Sequence, residues 1–178
     1  RQAAQLFLER GDQLRALDAL RGYAGLNDLD PEAHIRVAEV AESLGKKEAA
    51  AQAFARAGEL LRAGHPDRAR ELLERAHALA PSDARVAQAL AALLFEGGDP
   101  RRTAELLEPF AAEAVPERHR LLADAHLATG NLARAEELLW EIPPGFPEAH
   151  QSLLRVVEGF LRTRNTERAL SLLRRLKK

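Results

Sequence analysis

The sequence contains no cysteine and no methionine, and only one tryptophan and one tyrosine. Without cysteine there is no disulfide, no thiolate metal site and no cysteine nucleophile, and the redox compartment stays open because a cysteine-free chain is compatible with either. Neither sign of charge dominates: 26 basic and 27 acidic residues leave a formal charge of −1, which removes the electrostatic case for a nucleic-acid binder. No apolar run approaches the roughly 20 residues that span a bilayer, so membrane insertion is not expected, and the first residues lack the charged, apolar, then small succession of a secretion signal. Strand-forming runs of β-branched residues are missing. So are a glycine-rich phosphate loop, Gly-x-Ser-x-Gly and His-Glu-x-x-His, and Gly97-Gly98 reads as a helix stop. An enzyme is not expected, nor a cofactor or a metal.

What is present suffices for a packed core, with 46% hydrophobic and 30% charged positions. Apolar residues recur at spacings of three and four almost throughout, and breaks fall at Gly or Pro every dozen or so residues, which predicts an all-α chain of about eleven short helices. Asp30-Pro31 and Asp99-Pro100 place a capping residue before a proline at the first helical position, and Ser82-Asp83 and Asn131 are further N-cap candidates. Gln2 to Leu8 and Leu172 to Lys178 both read as amphipathic helix with no cap beyond, so the chain is expected to be part of something longer.

The helix stops are periodic. Gly11, Gly45, Gly64, Gly98, Gly130 and Arg164 follow one another at steps of 34, 19, 34, 32 and 34 residues. In Gly64-His65-Pro66-Asp67-Arg68-Ala69-Arg70-Glu71-Leu72-Leu73-Glu74-Arg75-Ala76 through Pro81, small, bulky, small and proline residues alternate in a fixed frame, and Gly130-Asn131-Leu132-Ala133-Arg134-Ala135-Glu136-Glu137-Leu138-Leu139 repeats it. Ala38, Ala57, Ala91 and Ala123 supply the small residue on the first helix of each pair, where close crossings need one. This frame resembles the tetratricopeptide repeat over essentially the whole chain. The resemblance implies a right-handed superhelical solenoid of antiparallel helix pairs, one domain over residues 1–178. Two departures stand out. The step of 19 lets the helix around Ala49 to Leu61 serve as second helix of one repeat and first of the next, and Ile142-Pro143-Pro144-Gly145-Phe146-Pro147 forms a stiff, extended connector before the last pair.

In this family repeat positions 2, 5, 9, 12 and 13 face a bound peptide or domain along a concave groove. Position 12 collects Leu8, Glu42, Leu61, Phe95, Leu127 and Leu161; position 5 collects Ile35, Phe54, Gln88, Arg120 and Leu154. The candidate groove residues are Leu61, Arg85, Gln88, Phe95, Arg120, Asp124, Leu127, Leu154, Glu158, Leu161 and Arg162. Their apolar members form a docking row and the charged ones its edges; the competing reading is that position 12 packs partly against the adjacent helix. Position 9 reads Glu39, Gly58, Ala92, Asp124 and Glu158, without the Lys and Asn set with which the family clamps a C-terminal carboxylate, so a chaperone-tail receptor is disfavoured. His34 and His119 fall at position 4 and His126 at position 11, which are packing positions of the repeat.

The resemblance thus implies a non-enzymatic protein–protein interaction scaffold that binds a protein or peptide partner. Structural self-association into a homo-oligomer and a regulatory arm of a larger protein are the alternatives. Cytoplasmic residence is expected, with the periplasm open. Only four of the basic residues are lysines, an arginine bias that, with abundant alanine, points to a GC-rich bacterial genome.

Overall fold

The computed structural model describes residues 2–113, 115–143 and 145–177. Among them are eleven α-helices and no strand. The chain divides into two compact units, Arg1–Leu93 and Leu94–Lys178. The first holds α1 (Gln2–Glu9), α2 (Gln13–Leu26), α3 (Pro31–Ser43), α4 (Lys47–Leu61), α5 (Pro66–Leu79) and most of α6 (Ala84–Glu96). The second holds α7 (Pro100–Leu107), a 3₁₀ turn at Glu108–Phe110, α8 (Pro116–Ala128), α9 (Leu132–Glu141), α10 (Pro147–Arg162) and α11 (Thr166–Leu176).

The periodic stops work by one device. Gly11, Gly45, Gly98 and Gly130 all have φ between 70° and 83°, and Arg164 adopts φ 60° in the same role. With that residue left-handed, the next N–H reaches back five residues: Lys46 to Ala41 O at 2.9 Å, Asp99 to Leu94 O at 2.9 Å, Asn131 to His126 O at 2.8 Å and Asn165 to Phe160 O at 2.8 Å. These bonds satisfy carbonyls that the ending helix would otherwise leave open. The same next residue then starts the following helix, and the side chains of Asp12, Asp99, Asn131 and Asn165 accept from the N–H three residues on. A whole reversal is therefore encoded in two adjacent residues.

Gly64 breaks the series. It lies outside the left-handed region, and His65 N–H bonds instead to Leu61 O at 2.7 Å, four residues back. This is the turn out of α4, the helix at the irregular step of 19, and α4 packs on both α3 and α5. Its burial shows the same double role: Ala50, Ala51, Phe54, Ala57, Gly58 and Leu61 are all buried, so little of its circumference faces solvent.

Within the first unit α1 packs on α2, α2 on α3, α3 on α4 and α4 on α5. Within the second, α7 packs on α8, α8 on α9, α9 on α10 and α10 on α11, and α8 also touches α10. The repeat alanines Ala38, Ala57, Ala69, Ala91, Ala123 and Ala135 are all fully inaccessible. Leu73, Leu107, Leu122, Leu138 and Leu139 fill the spaces between helices, each contributing about 1.5–3 kcal/mol by leaving water.

The proline connector begins with Ile142 in extended conformation (φ −75°, ψ 128°) and ends with Phe146 likewise (φ −99°, ψ 99°). Between them Gly145 turns the path at φ 115°, while Pro144 lies outside the described residues. Ile142 is buried and anchors the connector, whereas Phe146 is held out at 39% exposure.

Candidate protein-docking face

The candidate groove residues separate by burial. In the first unit Leu61 is only 7% exposed, because α3 and α5 cover α4 from two sides, so it belongs to the core and not to an exposed row. Ile35 and Phe54, collected at position 5 by the same frame, are buried as well. Arg85 is exposed and Gln88 half-buried. Phe95, at the end of α6 and already in the second unit, is half-buried.

In the second unit the remaining candidates lie on α8 and α10. Leu154 is 42% and Leu161 50% exposed, and they stand seven residues apart on α10, about 10.5 Å or two turns of one face. Glu158 lies between them, with Arg162 Nη2 at 3.9 Å from its carboxylate. Leu127 is half-buried on α8.

Asp124 sits differently from a rim charge. It is 5% exposed. Arg120 Nη1 donates to its Oδ2 at 3.1 Å, while Ser152 Oγ and Arg155 Nη1, both on α10, donate to its Oδ1 at 3.0 Å each. A buried carboxylate is tolerated only when paired and hydrogen-bonded, and here the pairing locks α8 to α10. Arg120 and Arg155 remain accessible, with side chains 42% and 55% exposed. Arg155 and Ser152 were not among the sequence candidates. Their partner is some thirty residues away, and no local pattern marks either of them.

Beside Arg120 is a hollow of about 240 Å³ lined by Pro116, Glu117, Ile142, Phe146 and Glu148. Phe146 is thus a wall of the hollow, as is the buried Ile142 at the other end of the connector.

Three histidines have hydrogen-bond partners within the chain. His119 is 1% exposed, and its Nε2–H donates to Ala111 O at 2.9 Å. His34 Nε2 lies 3.0 Å from Asp28 O. His126 Nε2 reaches Glu108 at 2.9 Å, and Arg134 reaches the same carboxylate through Nε at 3.0 Å and Nη2 at 2.8 Å. Burial pushes the Glu108 carboxyl up, but the hydrogen bonds from His126 and Arg134 outweigh it and hold the group below its ordinary value. This cluster ties the 3₁₀ turn to α8 and α9. Among the described residues no group of three or more His, Cys, Asp or Glu could hold a metal, and no helix is long and apolar enough to cross a membrane.

With capped antiparallel pairs, alanine crossings and a 34-residue step in place, residues 60–118 match the family model of the tetratricopeptide repeat. Over those residues the chain resembles tetratricopeptide repeats, and as a whole it has the fold of solved tetratricopeptide-repeat structures. Solved structures show the same fold at low identity. YrrB, described as a tetratricopeptide-repeat protein with an unusual peptide-binding site, is 17% identical at a TM-score of 0.62, covering 90% of this chain and 91% of that one. A Podosopora anserina putative kinesin light chain with nearly identical repeats gives 20% identity and a TM-score of 0.59, covering 98% and 89%. MamA from Desulfovibrio magneticus RS-1 gives 19% and 0.52, covering 98% and 89%. No curated protein sequence matches the chain. Tetratricopeptide-repeat folds in general mediate protein–protein interaction, and the family is in general a non-catalytic scaffold.

Proposed function

We propose that this tetratricopeptide-repeat chain is a non-enzymatic docking module whose α8–α10 face holds a partner protein or peptide. The observation that carries the reading is the exposed pair Leu154 and Leu161 on one face of α10, with the charged Glu158 and Arg162 beside them. Exposed leucines in register with charged neighbours match the composition of a docking surface better than that of a solvated helix face. A relative of the same fold, YrrB, is described as having a peptide-binding site, which supports the mode and names no partner for this chain. Leu127, half-buried on α8, contributes at the margin of such a face, and the buried Leu61 does not.

Leu154→Ser together with Leu161→Ser tests the reading. Partner retention in an affinity pull-down from source-cell lysate is expected to fall at least tenfold, with helicity and thermal midpoint close to the unaltered chain. A large drop in the midpoint would place these leucines in the core, and unchanged retention would remove them from the interface.

Self-association is favoured by a separate observation: Leu170 and Leu173 on α11 are 52% and 38% exposed. A mass that rises with concentration, and stops rising on Leu170→Ser with Leu173→Ser, is the outcome this second reading requires.

A further inference from the structure

The turns between helices set a register that runs along the chain, and two of its rows change character at the ends. Nine residues after Gly11, Gly45, Gly64, Gly98, Gly130 and Arg164 stand Leu20, Phe54, Leu73, Leu107, Leu139 and Leu173. The first five are no more than 3% exposed, yet Leu173 is 38% exposed. Five residues before the left-handed stops Gly11, Gly45, Gly98, Gly130 and Arg164 stand Leu6, Val40, Leu93, Ala125 and Gly159. Val40, Leu93 and Ala125 are buried and Gly159 is half-buried, whereas Leu6 is 53% exposed. Gly64, which is not left-handed, falls outside this second row.

The neighbours of each row show which way it faces. Leu20 on α2 lines one hollow with Arg36 and Val40 of the following α3, and Leu139 on α9 lines another with Leu153 of the following α10. The row after the stop thus faces the next helix pair. The row before the stop faces the preceding pair: Val40 meets Leu20 across the first hollow, and a Cβ on Gly159 would lie 2.6 Å from Leu132 of α9. Leu6 therefore presents the surface that later pairs turn toward the pair before them, and Leu173 the surface that earlier pairs turn toward the pair after. Thr166 on α11 holds the place of Leu132, and the exposed Leu170 follows it by one turn on the same side. Repeat arrays are held together by contacts between neighbouring units, so these two uncovered surfaces are the complementary halves of one junction.

We propose that a second copy of this chain covers α11, its first helix pair stacking on the last pair of the first copy, with Leu6 of one set against Leu170 and Leu173 of the other. This rests on the self-association reading and gives it a direction: the contact joins two different surfaces, so each copy keeps one surface free for the next. Apolar burial selects the fit, and charge does not. Along α11 lie Glu167 and Arg174, besides Arg168 and Arg175, which share Glu136; residues 9–21 of the first pair carry three carboxylates and three arginines.

Concentration-dependent mass, measured by analytical ultracentrifugation on the full chain and two variants, tests it. The unaltered chain is expected to grow past two copies as concentration rises. Leu6→Glu alone, and Leu170→Glu with Leu173→Glu alone, are each expected to stay at one copy. Helicity and thermal midpoint should be unchanged, because the altered residues are exposed. An equal mixture of the two variants is expected to form a species of two copies and none larger, since each retains the surface that the other has lost. An excess of the α11 variant should also cap the unaltered chain and lower its mass, which tests the direction without the Leu6 variant. Association of Leu6→Glu at unaltered strength, a mixture that stays at one copy, or no capping by the α11 variant overturns the stacking while self-association through α11 stands. One copy at every concentration overturns both, and the α8–α10 docking reading is judged separately by its pull-down.

Discussion

Gly58 and Gly159 each stand where one helix crosses another, and they answer differently to an added methyl group. A Cβ on Gly58 would lie 2.6 Å from Leu73 Cγ and 3.2 Å from the Ala69 carbonyl oxygen, so α4 and α5 would have to separate. Gly58→Ala is expected to cost about 1–3 kcal/mol in urea denaturation. On Gly159 the nearest atoms are the Leu132 methyl carbons at 2.6 and 3.0 Å, which can rotate aside. There the helix propensity of alanine, about 1 kcal/mol better than glycine, offsets the crowding, and Gly159→Ala is expected to leave the urea midpoint near its original value. Comparable losses at the two sites would contradict this contrast. Single positions were also where the sequence misled most. Leu61 occupies a groove position of the repeat, yet α4 is covered on two sides. Asp124 occupies another, yet Ser152 and Arg155 close over it from α10. In both cases the deciding neighbour is remote in sequence, and periodicity reports only the residue's own helix.

At the scale of helices the sequence was far more legible, because the signals that start and stop them are local. A left-handed residue followed by a capping Asp or Asn ends one helix and starts the next within two positions, and at Gly11, Gly98, Gly130 and Arg164 both halves are present. Gly64 looked identical and is not, since the left-handed requirement comes from the path between helices and not from the glycine. Ala135 tests the register of the pairs. It is fully inaccessible on α9, which packs on both α8 and α10, so Ala135→Leu is expected to cost about 1–3 kcal/mol, and unchanged stability would mean that the frame is misplaced. The link between the 3₁₀ turn and α8–α9 carries a pH signature. The Glu108 carboxyl is held below its ordinary value in the folded chain. Its contribution is therefore fully present above the unfolded value of about 4.3 and is lost as pH falls through the lower folded value. Its half-exposed setting keeps the effect small. Stability measured by denaturation from pH 6 downward should fall less steeply through that acidic window for Glu108→Gln, and an identical slope would remove Glu108 from the link.

At the scale of the molecule, the repeat period alone announced the architecture, and the solved relatives at 17–20% identity carry the same fold. What the period could not announce is which exposed residues a partner would meet, because exposure is decided by how consecutive pairs cover one another. The irregular helix has a consequence of this kind. Repeat arrays behave as chains of units coupled to their neighbours, and they open at the weakest junction. Because α4 packs on α3 and on α5 alike, residues 31–79 contain no junction between separate pairs. The amide protons of these three helices should exchange with solvent by EX2 kinetics at one common opening free energy, whereas α10 and α11, an ordinary pair, should open on their own at a lower one. Stepwise loss of protection across α3, α4 and α5 would show instead that the shared helix couples its neighbours no more strongly than any other.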